Sequence, residues 1–163
     1  MYKRQLWSRY EPEEQAVALF YGSMYGNTES AVNVLASELA KAGVRSVSVY
    51  DVSSTHVSTL ISETFRCSHL VLAAPTYNGG VYPAMLSFLH DLKALNVQNR
   101  TVALMENGTW APACAKQMRA LLEEMKNMRI LTPTVTIKSS LNADAHAALD
   151  QLCAGILASL QAS

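Results

Sequence analysis

Three short stretches carry the residue types that could hold a charged, flat ligand. They are G-S-M-Y-G-N-T at residues 22–28, P-T-Y-N-G-G-V-Y-P at 75–83 and E-N-G-T-W-A-P at 106–112. The first has no Lys or Arg, yet it offers what a phosphate needs when no cation is present. Gly22 and Gly26 permit a tight turn and leave backbone N–H groups accessible, while Ser23, Asn27 and Thr28 add hydroxyl and amide donors. A helix starting here would also point its positive end at the anion. The Walker pattern fails for want of its Lys and its spacing, and G-x-G-x-x-G is absent. Neutral donors suit a ligand kept bound rather than a triphosphate turned over. An ordinary helix N-cap with turn glycines has the same composition, so the stretch alone leaves both readings open.

In the second stretch Tyr77 and Tyr82 can stack on a planar ring, and Asn78, Gly79 and Gly80 form a backbone able to flip its peptide planes. The third has Asn107 and Gly108 for a tight turn, followed by Trp110, one of two tryptophans in the chain. Each aromatic taken singly reads equally well as core. Together the three stretches describe a pocket for a phosphorylated planar heterocycle.

The elements that must position these stretches alternate along the chain. Short β-rich apolar runs occur at 16–21, 46–50, 69–74, 101–105 and 134–137, as expected of strands buried on both faces of a parallel sheet. Between them lie helical patterns. The first runs from about Thr28 to Ala42 and stops at Gly43. The next repeats Val57, Leu60, Ile61 and Phe65, and the third Met85, Phe88, Leu89 and Leu92. Met118, Leu121, Leu122 and Met125 mark the fourth; Leu149, Leu152, Ile156 and Leu160 follow an N-cap at Asn142 in the last. These stripes read as core. The expected fold class is α/β, a three-layer sandwich around a five-stranded parallel sheet of order 2-1-3-4-5. In such a sheet ligands bind beyond the carboxyl ends of the strands where the order reverses, on the loops after strands one, three and four. Those are the three unusual stretches, whereas the loop after strand two, Asp51–Ser54, is ordinary.

Composition narrows the function further. The 163 residues are 50% apolar, enough for one compact domain, and thirteen basic residues balance thirteen acidic ones. With no basic excess or block, nucleic acid and a membrane surface are not expected partners. Cys67, Cys114 and Cys153 are scattered without metal-ligand spacing, which suits buried thiols in a reducing, cytoplasmic setting. His56, His69, His90 and His146 are equally dispersed, His69 beginning a strand and the others on helices, so no metal site and no catalytic residue is assigned. The segment 1–15 lacks an apolar signal region and reads as a linker remnant from an upstream domain, with the folded domain at 16–163.

The motifs then resemble a known family. S-M-Y-G-N-T is similar to the phosphate loop of flavodoxin-like FMN domains, and A-P-T-Y-N-G-G-V-Y-P-A-M resembles the second FMN loop of the flavodiiron proteins, or A-type flavoproteins. Y-K-R-Q-L-W-S-R-Y-E-P looks like the stretch joining the diiron and flavodoxin domains in that family. The resemblance implies that Ser23, Met24, Tyr25, Gly26, Asn27 and Thr28 hold the FMN phosphate. It puts Pro75, Thr76, Tyr77, Asn78, Gly79 and Gly80 against ribityl and isoalloxazine, and Asn107, Gly108, Thr109 and Trp110 on the other side of the ring. The third stretch departs from the family's G-S-Y-G-W-S-G-like form, keeping the Trp but not its neighbours. A peptide flip at Asn78-Gly79 on reduction of the ring is a further expectation. The implied role is an electron-transfer module of an oxygen or nitric oxide reductase. Electrons would come from rubredoxin or a flavin reductase and go to a diiron domain of the parent chain or its dimer mate. Alone, such a module is not expected to be catalytically complete.

Rival readings are weighed on residues. An FMN-dependent NAD(P)H:quinone reductase of the same fold would share S-M-Y-G-N, although the second and third stretches resemble that branch less. A phospho-acceptor receiver needs acidic residues at strand ends occupied here by Phe20-Tyr21 and Ala73-Ala74, and a C-x₅-R phosphatase fails because Arg119 lies one position short of that spacing from Cys114.

Overall fold

The computed structural model describes residues 12, 14–22, 26–77, 80–108, 113–131, 134–138 and 142–162. The apolar runs form strands β1 (Glu14–Tyr21), β2 (Val47–Asp51), β3 (Cys67–Tyr77) and β5 (Arg100–Asn107). Two short segments, β6 (Met128–Ile130) and β7 (Val135–Ile137), share the last position, and β4 (Gly80–Val81) folds back on β3. The helices are α1 (Asn27–Lys41), α2 (Val57–Arg66), α3 (Pro83–Ala94), α4 (Cys114–Glu123) and α5 (Ala143–Ala162). β1 takes in Glu14 and Gln15, the last two residues of the segment read as a linker.

The sheet runs β2-β1-β3-β5 and continues with β6 and β7, both parallel to β5. This is the expected order 2-1-3-4-5, with the last strand in two pieces. β6 pairs the start of β5 (Arg100 with Met128) and β7 its end (Asn107 with Ile137). The sequence between them contains Pro133, which has no amide N–H to give a ladder. β4 is antiparallel to the end of β3, pairing Tyr77 with Gly80.

Alternate residues of each strand feed two cores. Ala18, Phe20, Leu70, Leu72, Val102 and Leu104 pack against α2, α3 and α4; Val17, Leu19, Val71, Ala73, Ala103 and Met105 pack against α1 and α5. The α3 stripe is fully buried as expected, but in α2 the stripe starts at Leu60, since Val57 is 43% exposed. Phe20 anchors the first core, its ring 4.9 Å from Phe88 and 5.8 Å from Tyr50 between centroids.

Helix ends follow local chemistry. Past α1, Gly43 at φ +99 donates to Ala40 O while Val44 N–H reaches Leu39 O, the double bond of a Schellman stop. Asn96 does the same after α3 at φ +55. Asn142 Oδ1 accepts from Ala145 N–H at 2.9 Å, the expected cap of α5. His56, expected on a helix, is instead the N-cap of α2, where its Nδ1 accepts from Ser58 N–H at 3.1 Å. At the other end of α2, the buried Arg100 guanidinium donates to Thr64 O (3.0 Å) and Phe65 O (3.1 Å), and also to Gln98 O (2.7 Å). Burial pulls it down to about 10, still cationic at neutral pH, and a cation at a helix C-terminus is favourable. Arg66 joins Glu63, Glu14 and the hydroxyls of Ser46 and Ser48.

His69 is inside the protein, held between Ser68 Oγ (2.7 Å from Nδ1) and Ser159 Oγ of α5 (2.9 Å from Nε2). Burial, aided by the Arg129 cation, lowers it to about 4, so it is neutral at pH 7. The three cysteines are free and buried; burial pushes the Cys67 and Cys114 thiols up to about 12 and raises Cys153 as well. No described helix is long and apolar enough to cross a membrane. Among the described residues no group of three or more His, Cys, Asp or Glu could hold a metal ion.

Candidate functional site

β1, β3 and β5 lie side by side and end together, with Tyr21 in register with Ala73 and Pro75 with Asn107. The stems of all three unusual stretches therefore leave the sheet at one edge. β1 has β2 on one side and β3 on the other, so the chain reverses direction across the sheet here, the position where open α/β sheets bind ligands.

The first stem ends β1 and opens α1. Gly26 is the N-cap of α1 at φ +86, ψ −12, a left-handed conformation that penalises a Cβ even though no atom lies within 4 Å of where one would be. Its carbonyl accepts from Ser30 N–H and Ser30 Oγ, both at 3.0 Å. Asn27 and Thr28 form the first turn, Thr28 buried and Asn27 half-buried. Three other helices begin under side-chain acceptors: His56 for α2, Asn142 for α5, and Thr76 with Glu106 for α4. The N-cap of α1 is a glycine and brings none of its own. Nearby, the Tyr21 phenol is raised by burial and then by the carboxylates of Glu29 and Asp51, so it stays protonated.

The turn freedom expected of Gly22 is not what it provides. It is not among the positive-φ glycines, and a Cβ built on it would lie 2.6 Å from Tyr82 Cδ2 and 3.0 Å from Cε2. Glycine is needed there so that the Tyr82 ring can rest on the backbone. Tyr82 is thus a wall joining the first and second stretches, one side of its ring taken by Gly22. Tyr77, at 43% exposure, remains available for stacking.

Thr76 and Glu106 govern the other two stems. Thr76 Oγ1 accepts from the N–H groups of Ala113 (3.3 Å) and Cys114 (3.4 Å), leaving its own proton to donate. Glu106, the last buried residue of β5, accepts from Ala115 N–H through Oε2 at 3.1 Å. Three consecutive amides at the start of α4 are thereby satisfied by the ends of β3 and β5. Burial raises the Glu106 carboxyl above its ordinary range, and the Ala115 N–H only partly opposes this. Gly108 N–H donates to Ile137 O at 3.0 Å, fixing the start of the third stretch. Gly80 opens β4, with Gln117 Oε1 3.2 Å from where its Cβ would be.

Of the residues singled out in sequence, Gly26, Asn27, Thr28, Pro75, Thr76, Tyr77, Gly80, Asn107 and Gly108 are at this edge. Ser23, Met24, Tyr25, Asn78, Gly79, Thr109 and Trp110 lie outside the described residues, and with them the expected peptide flip. Glu106 and the Gly22–Tyr82 contact were not singled out. The signal for Glu106 was available: an acidic residue closing a strand that is otherwise apolar.

Comparison with known proteins agrees with this arrangement. The chain is 27% identical over 136 residues to rubredoxin-oxygen oxidoreductase of Megalodesulfovibrio gigas, covering 83% of this chain and 33% of that protein. It is 18% identical over 113 residues to the anaerobic nitric oxide reductase flavorubredoxin of Escherichia coli, covering 69% of this chain and 24% of that one. It thus spans a third or less of these relatives. Among solved structures, rubredoxin oxygen:oxidoreductase from Desulfovibrio gigas superposes with a TM-score of 0.88 at 24% identity, over 97% of this chain and 39% of that chain. An archaeal flavodoxin superposes at 0.77 with 17% identity, over 90% and 99%. The family model described as Flavodoxin matches residues 19–151, well over half the chain, and the protein belongs to the flavodoxin family.

Proposed function

We propose that this chain is an FMN-binding electron-transfer domain, the flavodoxin module of a flavodiiron-type oxygen or nitric oxide reductase. The observation that carries the reading is the glycine-capped start of α1 at the switch-point edge, where the positive helix end meets a neutral donor set. The donors suit the cofactor. Gly26, Asn27 and Thr28, with Ser23, Met24 and Tyr25 before them in sequence, supply N–H, hydroxyl and amide groups suited to a phosphate dianion.

Bound FMN would supply the redox chemistry, accepting and donating electrons at the ring. The chain's own residues bind and orient it. Tyr77 offers an exposed aromatic face, and Trp110 in sequence another, while Pro75, Thr76, Asn78, Gly79 and Gly80 would follow the ribityl chain and ring. Asn107, Gly108 and Thr109 would close the opposite side. In this reading rubredoxin or a flavin reductase is the electron donor, supported by the name rubredoxin-oxygen oxidoreductase of one relative, and a diiron domain, on the parent chain or a partner subunit, is the acceptor. Three buried free thiols suit a reducing cytoplasm.

The test is to add FMN to the purified protein, remove excess by gel filtration and record the visible spectrum. One flavin per chain is expected. A colourless protein would overturn the reading, and rapid NAD(P)H-driven quinone reduction by the chain alone would replace it with a quinone reductase.

A further inference from the structure

Tyr82 reaches across from the second stretch to the first. The antiparallel pairing of Thr76 with Val81 turns the chain back, and the next residue brings its ring over Gly22. Room for it comes from the missing Cβ: Tyr82 Cδ2, Cε2 and Cγ lie 2.6, 3.0 and 3.4 Å from where that carbon would be. Gly22 is itself fixed, because its N–H donates to Ala73 O of β3 at 3.0 Å. Tyr82 is fixed as well. Pro83 follows it as the first residue of α3 and keeps it out of the helical region, at φ −50 and ψ 129. Its carbonyl accepts from Leu86 N–H at 3.0 Å, and its half-buried side chain packs against the core under α2, α3 and α4.

We propose that Tyr82 is a positioning residue, a rigid spacer that sets the distance between the phosphate end and the ring end of the crevice. It thereby selects a ligand whose phosphate and planar ring stand a fixed length apart. This rests on the flavin reading, in which the first stretch takes the phosphate and the second the ribityl chain and ring. A ligand gripped at both ends gains affinity only when both grips are engaged at once. A change in their spacing therefore penalises the two-ended ligand and spares a ligand held by its ring alone.

The two tyrosines of the second stretch then divide the work. Tyr77, at 43% exposure, keeps a face open for stacking, whereas the ring of Tyr82 is spent on the contact with Gly22. Because Tyr82 is held by packing and backbone before any ligand arrives, the spacing is set in advance and costs no ordering on binding.

FMN and riboflavin are the probes, alike in ring and ribityl chain and differing in the phosphate. Dissociation constants for both would be measured by flavin fluorescence for wild type, Tyr82→Phe, Tyr82→Leu and Tyr82→Ala. Wild type should prefer FMN. In Tyr82→Leu and Tyr82→Ala, FMN affinity is expected to fall about tenfold or more while riboflavin affinity changes by less than about threefold. Tyr82→Phe keeps the spacer and should keep the preference. Loss of affinity for both flavins alike, or for neither, would overturn the proposal, since the ring would then stack on the ligand or serve packing alone. Gly22→Ala pushes on the same ring from the other side and should also collapse the preference. A Gly22→Ala protein with the full preference overturns the proposal even if Tyr82→Ala fails to fold. Without ligand, the amide resonances of Gly26 and Asn27 should move in Tyr82→Leu and stay in place in Tyr82→Phe. Amides that stay in both overturn it independently. If wild type binds neither flavin, the flavin reading fails, while the amide comparison still decides whether Tyr82 sets the spacing.

Discussion

Gly22 is a glycine because an aromatic ring lies on it. A Cβ there would sit 2.6 Å from Tyr82 Cδ2, and the atom it meets belongs to a rigid ring rather than to a flexible chain end. Gly22→Ala must therefore displace Tyr82 and part the first stretch from the second. We expect a loss of about 1–3 kcal/mol in urea unfolding, the usual cost of overpacking, together with weaker FMN binding. The double variant Gly22→Ala/Tyr82→Ala should recover part of the stability. Unchanged unfolding in the single variant would mean that the ring yields freely. Gly26 is constrained differently: space is open around it and only its positive φ argues for glycine. Composition marked both residues as turn glycines, and only coordinates separate a glycine needed for its φ from one needed for its missing side chain.

At the scale of elements, β3 is joined to α5 through His69 and Ser159, and this joint is sensitive to acid. His69 falls from an ordinary value of 6.5 to about 4 on folding, so between those values the unfolded chain binds the extra proton. Its contribution is fully present above about pH 6.5 and is lost as pH falls toward 4, up to about 3 kcal/mol. Wild type should therefore lose more stability than His69→Asn between neutral pH and pH 4 in urea melts. Parallel curves for the two would show that His69 does not carry the effect. The joint was only half legible in sequence: His69 could be placed on a strand, but its partner is ninety residues away. The strands themselves were legible because both faces of β1, β3 and β5 are buried and their apolar runs are unbroken. β6 was not, because Met128–Ile130 is three residues long, contains a charge and is only partly buried. His56 was misplaced for a related reason, since its role as a cap depends on φ, ψ and one hydrogen bond rather than on periodicity.

For the whole molecule, the chain spans a third or less of the relatives named above, and its described residues contain no cluster fit for a metal. Loaded with FMN, the isolated chain should accept electrons from a chemical reductant yet fail to consume nitric oxide catalytically on an NO electrode. Under the function proposed above, turnover should appear only when a diiron domain is added. Sustained consumption by the chain alone would place the gas chemistry within these residues.

The position of β1 in the sheet has a consequence for how this domain acquires its structure. The first strand in sequence lies between β2 and β3, and its contacts with β3 join residues about fifty positions apart. On one face of the sheet α1 covers β1 and β3, whereas the part over β5 and β7 is completed by α5, far later in the chain. During synthesis the apolar face of β5 must therefore remain exposed after β1, β2 and β3 have paired, until α5 has emerged. Such non-local topology folds slowly and exposes a sticky edge on the way. A chain cut before α5 should accumulate as aggregate rather than as a smaller flavodoxin.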